Sequence, residues 1–526
     1  MSTDSPSLIE SLKSPTVWPD RPEQVEVVET HISWVCLTRD FAWKIKKPVS
    51  FEFLDFSTLE QRRYFCEEEV RLNRRSAPNL YLGVVPICGT VAAPQIDGKG
   101  EPFEFAVKMR RFDDAGLLSR MAMEKRLTPG MIDDLAETVA EFHSTIEQAS
   151  PDLSYGKPAD IQQAALDNFS TIEQLANGDA LHEVSVRHLK EWTIAEGTRL
   201  ELALAQRRHA GFVRECHGDL HLRNIVEIDG RPCLFDCIDF NDEFRWIDVI
   251  SEVAFLVMDL EEHDEEEFAR RLLNRYLELT GDYDGLQVLR YYLVYRAMIR
   301  AKVDMIGLRD RSQSATQQRV LLNEFGNYLS IADHDAEQSP PALLIMHGLS
   351  GSGKTTMSQR IIEQTPVIRI RSDIERKRLH GIRETDRVSE ARAERLYSPE
   401  ATNRTYAHLL SLASTVIEAG FSVVVDAAFL RGEERSLFHN LAMQLDVPFR
   451  IVSCQASKEE LEARVSSRAA ANVDASDAGI TVLQKQFRGD TAINDVATDE
   501  LVTVDTASAS SVEEAMLRLR TVTAVS

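Results

Sequence analysis

The chain has 526 residues, 43% of them hydrophobic, and a formal net charge of −24. That length exceeds one ordinary core and predicts two or three domains, while the acidic balance excludes a protein that coats nucleic acid through its overall field. No apolar run approaches membrane-spanning length, residues 1–6 lack the basic and apolar regions of a signal peptide, and the 7 cysteines are scattered through apolar segments, so a reducing, cytoplasmic location is expected.

The first elements read as strands. Val25–Glu29, Ile32–Leu37 and Phe41–Ile45 are rich in β-branched and aromatic residues. A helix is expected from about Thr58 to Arg75 and another strand from Phe103 to Met109. From about Met131 the pattern is mainly helical, apart from short segments near 213–240. A small β-rich lobe followed by a larger helical one is an α+β arrangement. The acidic run 259–267 reads as a solvated helix face. Cys233 and Cys237 have no cysteine or histidine cluster downstream, so a zinc site is not expected there.

Within the helical lobe stands His217-Gly218-Asp219-Leu220-His221-Leu222-Arg223-Asn224, and after a short hairpin Leu234-Phe235-Asp236-Cys237-Ile238-Asp239. Phosphoryl transfer uses such a set. One carboxylate orients the acceptor hydroxyl and takes its proton, while an amide oxygen and a second carboxylate hold Mg²⁺ against the nucleotide phosphates. The alternation of His217, Asp219 and His221 also fits metal ligands on one strand face, as in a metal-dependent phosphohydrolase.

The segment resembles the aminoglycoside phosphotransferase family of the protein-kinase-like superfamily, whose catalytic loop H-G-D-x-x-x-x-N is intact here. The resemblance implies a bilobal α+β domain with Asp219 as catalytic base or hydroxyl orienter and Asn224 and Asp236 as Mg²⁺ ligands. Asp239 stays open as a second ligand, Asp248 is structural and His217 braces the loop. It also implies a nucleotide-gripping lysine on a small-lobe strand, paired to a helix glutamate. Lys44 is the choice, with Lys46 on the same strand face as its competitor. Phe65, Glu69 and Leu72 share one helix face, which favours Glu69 over Glu67 and Glu68. No G-x-G-x-x-G precedes Lys44. Met109 to Phe112 would form the adenine-contacting hinge.

The polar segment 331–341, ending in Pro340-Pro341, is the expected boundary between domains 1–335 and 336–526. Strands at 343–346, 367–370, 422–425 and 450–453 alternate with helices, the rhythm of a parallel α/β sheet. The first strand runs into Gly348-Leu349-Ser350-Gly351-Ser352-Gly353-Lys354-Thr355-Thr356, a complete phosphate-binding loop. Its backbone N–H groups can wrap phosphates, Lys354 can reach the β/γ-phosphates and Thr355 can ligate Mg²⁺. Asp426, at the end of a strand, is the candidate second Mg²⁺-organising carboxylate. Asp373, with Arg376, occupies the place of the acceptor-activating group; a helix N-cap is its structural alternative. Arg464 and Arg468 lie one turn apart before an Ala/Asp/Ser stretch, like a lid closing on the transferring phosphate.

Residues 340–500 resemble P-loop kinases related to gluconate and polynucleotide 5′-hydroxyl kinases. The whole resembles bacterial bifunctional aminoglycoside phosphotransferase/ATP-binding proteins. That implies ATP and Mg²⁺ at two sites and hydroxyl-bearing small-molecule acceptors, with aminoglycosides and amino sugars among the candidates for the first domain. A regulatory nucleotide-binding module without turnover is the rival class.

Overall fold

The computed structural model describes residues 5–51, 54–176, 180–309, 314–384, 386, 395–471, 483–484, 486–487, 493 and 496–523, with the side chains of 5–7, 176, 180–183 and 468–471 outside the description. The chain folds into two compact units. One comprises Met1–Asn177, Thr193–His263 and Arg296–Gln318; the other comprises Gly178–Trp192, Asp264–Tyr295 and Arg319–Ser526. The units interleave along the sequence and so divide the chain differently from a cut at 335. The segment 331–341 is less of a linker than its polarity suggests. A helix, Ala315–Ala336, runs through its first part and buries Ala332 and Asp335, leaving coil only at 337–342. Burial of one helix face overrides the polar composition.

The first unit opens with β1 (Glu26–Glu29), β2 (Ser33–Leu37) and β3 (Phe41–Lys46). Helix α1 (Leu59–Asn73) follows, then β4 (Tyr81–Thr90), β5 (Ala93–Ile96) and β6 (Glu104–Arg110). These strands form an antiparallel sheet in the order β1-β2-β3-β6-β4-β5. The two-residue period of β3 sets its faces. Trp43 and Ile45 enter a core with Trp18, Trp34 and Ile87, while Ala42 turns to the opposite core with Cys66, Val70 and Met109. Lys44 and Lys46 share the parity of Ala42 and therefore look toward α1. That helix is started by a capping box: the Thr58 hydroxyl accepts from the Gln61 backbone N–H at 3.2 Å, and the Gln61 side-chain Oε1 accepts from the Thr58 N–H at 3.3 Å. The helical part includes α2 (Pro129–Thr145), the hairpin β7 (Ile225–Ile228) and β8 (Arg231–Leu234), and α3 (Val249–Glu262).

Helix α4 (Glu266–Thr280) belongs to the second unit, and α5 (Leu286–Leu308) follows it in the chain. The second unit is built on β9 (Leu343–His347), β10 (Val367–Arg371), β11 (Ser422–Asp426), β12 (Phe449–Gln455) and β13 (Leu501–Asp505). All pair in parallel, in the order β10-β11-β9-β12-β13. The continuous apolar runs of β9 and β11 are buried along their whole length, as a sheet covered on both faces requires. Four of these strands follow the sequence expectation; β13 is an addition. Helices α6 (Lys354–Gln364) and α7 (Ser372–Leu379) follow β9 and β10, and α8 (Lys458–Ala471) follows β12. Among the described residues no helix is long and apolar enough to cross a membrane.

Candidate active sites

In the first unit, five charged side chains from distant parts of the chain meet behind β3. The Lys44 Nζ lies 2.9 Å from Glu69 Oε1 and 2.5 Å from Asp236 Oδ1. The Lys46 Nζ lies 2.8 Å from Glu69 Oε2 and also pairs with Asp239. The choice between Lys44 and Lys46 thus dissolves: one carboxylate serves both. Glu69 is fully buried, whereas Glu67 is exposed, in line with the helix-face argument. Burial would raise the Glu69 carboxyl, but the two ammonium groups outweigh it and hold it down at about 2. Both lysines stay charged despite a large desolvation cost, because Asp236, Glu69 and Asp239 surround them. Asp236 itself adopts φ +64°, a left-handed conformation uncommon outside glycine, and its N–H donates to the Tyr81 hydroxyl at 3.1 Å.

The loop carrying Asp219 is irregular backbone ending in a short 3₁₀ turn at Leu222–Asn224, not a strand. Gly218 has φ +89°, and a Cβ there would stand 2.8 Å from the Phe244 carbonyl oxygen. That accounts for the glycine of the H-G-D triplet. Asn224 Nδ2 donates to the Asp219 backbone oxygen at 2.9 Å and to its Oδ2 at 3.1 Å. The same Oδ2 lies 3.3 Å from His221 Nε2. His217 Nε2 donates to the Phe235 carbonyl at 2.8 Å, tying the loop to the Asp236 segment. Burial opposes ionisation of Asp219, but His221, which lies within hydrogen-bond reach of it, together with His217 and Arg300, holds its carboxyl below the usual range.

The loop is secured from beneath by residues with no linear signature. The Glu252 carboxylate accepts from the N–H groups of His217 (3.2 Å) and Gly218 (2.7 Å) and bonds His143 Nε2 at 3.0 Å. Arg296 donates to the Gly218 carbonyl at 3.2 Å. Asp259 accepts from the Leu222 N–H at 2.7 Å and is 4% exposed. The acidic run is therefore not wholly a solvated face: its first residue is an internal acceptor, since a buried N–H needs a partner. Asp248 caps α3 and pairs with Arg207 at 2.7 Å.

Among the described residues, ligand atoms of three metal-binding side chains cluster only at His143, Cys216 and Glu252 and at Asp259, Glu262 and His263; His143 and Glu252 bond each other, the Cys216 thiol donates to the Ile247 carbonyl at 3.5 Å, and His263 pairs with Glu262 at 3.0 Å. Among the described residues His217, Asp219 and His221 form no such cluster. Cys233 and Cys237 also stand outside both groups. The oxygen donors Asn224 and Asp236 suit a hard cation such as Mg²⁺: the Asn224 amide nitrogen points to Asp219, which leaves its oxygen as the remaining group. Met109 lies inside β6 with its side chain in the core shared with Val70 and Tyr81, so the chain leaves the sheet only after Arg110.

In the second unit the phosphate loop joins β9 to α6. A Cβ at Gly348 would stand 2.5 Å from the Cys454 carbonyl oxygen, so only glycine fits. Lys354 Nζ donates to the carbonyls of Gly348 and Leu349, each at 2.9 Å. The Ser350 N–H donates to Gln486 Oε1 at 2.9 Å. The Ser352 hydroxyl is buried without a hydrogen-bond partner among the described residues, an orphaned group that a phosphate oxygen could satisfy. Thr355 and Thr356 line a groove of about 560 Å³ with Gln359, Arg360 and Arg271. Asp426 is buried and accepts from the Ser358 hydroxyl at 3.0 Å, one turn beyond Thr355 on α6. Arg464 Nη1 donates to Thr506 Oγ1 at 2.9 Å and to the Gly351 carbonyl at 3.4 Å, against the phosphate loop. Asp373 is the second residue of α7, whose N-cap is Arg371, so the N-cap alternative does not hold. Arg376 is buried, with Nη1 on the Leu396 carbonyl at 3.0 Å. The Arg468 side chain and most of the stretch after it lie outside the described residues.

Glu252 and Asp259 are site residues to which sequence reasoning assigned no part in this arrangement, while Lys46 entered it only as the competitor of Lys44 and His221 only as an alternative metal ligand. Lys46 and His221 carried a signal, through strand parity and adjacency to Asp219.

Residues 61–289 match the phosphotransferase enzyme family and residues 343–489 match an AAA domain. An uncharacterized protein of Mycobacterium tuberculosis is 28% identical over 86% of this chain and 88% of its own length; an uncharacterized protein of Mycobacterium bovis matches equally. Among solved structures, the amicoumacin kinase hAmiN in complex with AMP-PNP, Ca²⁺ and Ami is 14% identical, with TM-score 0.39 over 62% of this chain and 93% of that one. Kti12 of Chaetomium thermophilum in complex with ADP-AlF3 is 18% identical, with TM-score 0.27 over 35% of this chain and 100% of that one. The chain therefore joins a stretch that matches the phosphotransferase enzyme family to a stretch that matches an AAA domain and folds on a parallel sheet, and these matches support a function of the kinase type.

Proposed function

We propose that the chain is a cytoplasmic ATP- and Mg²⁺-dependent phosphotransferase with two separate nucleotide sites, divided near residue 335 into two chemistries. The first site transfers a phosphoryl group to a hydroxyl of a small molecule, with an amino sugar or aminoglycoside as the acceptor class to try first. The observation that carries this reading is the joint pairing of Lys44 with Glu69 and Asp236, three residues remote in sequence, beside a loop that holds Asp219 against Asn224.

Asp219 orients the acceptor hydroxyl and takes its proton; it needs no raised pKa to be ionised near neutral pH. Lys44, held by Glu69, grips the nucleotide phosphates, and its pairing with Asp236 exchanges for that contact. Asn224 and Asp236 supply the oxygen ligands for Mg²⁺. The ion, when bound, neutralises charge on the phosphates. The segment that follows Met109 borders the adenine. At the second site, the backbone of Gly348 to Gly353, including Ser350, Gly351 and Ser352, surrounds the phosphates of a second ATP. Lys354, Thr355 and Thr356 contact those phosphates, Thr355 and Asp426 organise Mg²⁺, and Asp373 activates the acceptor hydroxyl. Arg464 and Arg468 close on the transferring group. The second acceptor class is a small molecule or a polynucleotide 5′-hydroxyl.

The test is ADP release by the full chain, screened over aminoglycosides, sugars, nucleosides and short oligonucleotides. Asp219→Ala is expected to remove one acceptor-stimulated activity by about 10²- to 10⁴-fold, and Lys354→Ala a different one. Loss of both activities through either single substitution would sink the two-site reading.

A further inference from the structure

His221 has a fixed hydrogen-bond polarity. Its Nδ1 accepts from the Arg223 backbone N–H at 3.3 Å, as the N-cap of the 3₁₀ turn, so Nδ1 carries no proton and Nε2 does. The Nε2 end is 3.3 Å from Asp219 Oδ2. The ring is 8% exposed and sits edge-on to the buried Phe255, with centroids 5.4 Å apart. The backbone thus selects the tautomer, and the tautomer points a donor at the carboxylate. Asn224 donates to the same oxygen at 3.1 Å. Two donors converge on Oδ2, and among the described residues no hydrogen bond of this loop uses Oδ1.

We infer that His221 is a positioning residue: with Asn224 it pins Oδ2 of Asp219, so that Oδ1 alone is presented to the acceptor hydroxyl. This rests on the reading of Asp219 as the acceptor-orienting carboxylate. A carboxylate pinned at one oxygen has lost the rotation that would otherwise spread it over unproductive orientations, and orientation of this kind acts on the turnover step. Binding of ATP is left unchanged, because the group that grips the nucleotide phosphates is Lys44, held by Glu69.

Two isosteres separate the two ends of the ring. Asparagine reproduces the Nδ1 position: it can accept from Arg223 and keep the cap, but it is too short to reach Asp219. Glutamine reproduces the Nε2 position and can donate to Asp219. The assay is ADP release from MgATP with water as acceptor, on the full chain carrying Lys354→Ala to silence the second site. His221→Asn is expected to keep the melting temperature and the KM for ATP while kcat falls about tenfold or more. His221→Gln is expected to restore kcat to within about threefold. Nitrogen-15 spectra of the histidine rings at pH 8 should show His221 protonated at Nε2 and not at Nδ1. The inference is overturned by an unchanged kcat in His221→Asn, by His221→Gln performing no better than His221→Asn, or by a proton on Nδ1. If Asp219→Asn leaves ADP release unchanged, the role of Asp219 has failed instead, and the ring spectrum still decides whether His221 donates to it.

Discussion

Glu69 is the side chain on which the first site depends most. It is fully buried between two ammonium groups, each of which has one other carboxylate partner. Removing it leaves two buried cations with half their compensation. Breaking a buried ion pair from one side costs about 3–5 kcal/mol, so Glu69→Ala should lower the stability of the first unit by about that amount in denaturant titrations. Lys46→Met alone should also be costly, because Asp239 keeps its burial and loses its partner. The double change Lys46→Met with Asp239→Leu should recover much of the loss, since no uncompensated charge then remains. Legibility in the sequence followed the range of the interaction. Asp219, Asn224, Asp236 and the 348–355 loop were readable because their spacing is local and the chemistry requires it. Glu69 was readable from helical periodicity. The pairing of Lys46 with Asp239, across 193 residues, has no local trace, and Glu252 reads as any other helix residue until its carboxylate is seen under two loop amides.

Strand β10 is an edge of the parallel sheet, and such an edge exposes unpaired backbone groups. Helix α4 covers it with one side chain. Asn274 Nδ2 donates to the Val367 carbonyl at 3.2 Å, and Asn274 Oδ1 accepts from the Arg369 N–H at 2.7 Å. The carboxamide bonds two alternate backbone groups as a neighbouring strand would. Glu278, one turn further along α4, pairs with the buried Arg369 at 2.7 Å. Asn274→Ala leaves both edge groups buried and unsatisfied, at about 1–3 kcal/mol each, and should lower the second unit's melting transition. A fragment 336–526 lacks α4 altogether and is expected to aggregate through β10, which light scattering would show; a soluble, monomeric fragment would contradict this. The strands around the phosphate loop were legible because fully buried parallel strands are continuous apolar runs. Strand β13 alternates buried and exposed residues and lies beyond the lid region, where composition gave no warning of a return to the sheet. The role of α4 was not legible, because its sequence falls within the stretch that matches the phosphotransferase family while its residues fold with the second unit.

Across the whole molecule the two units should answer pH in opposite directions. In the first unit Glu252 is fully buried. Burial alone would raise its carboxyl, but the bond to His143, the charges of His143 and His217 and the Gly218 N–H bring it down to about 2. A folded-state pKa below the unfolded one gives stability that is present above about 4.5 and lost as the pH falls toward 2. In the second unit Asp335 is 6% exposed, and desolvation pushes it up to about 7 against the pull of Arg290. A folded-state pKa above the unfolded one gives stability that is fully present below about 3.8 and lost as the pH rises through about 7. At about 1.4 kcal/mol per pKa unit these contributions are of order 3 and 4 kcal/mol. Lowering the pH from 8 to 5 should therefore raise the calorimetric transition of the second unit, and lowering it below about 4 should depress that of the first. Asp335→Asn removes the titrating carboxyl from the helix end, so it should stabilise the second unit at pH 8 and flatten its dependence between pH 4 and 8. A variant that keeps the wild-type slope over that interval would show that the pH response arises elsewhere.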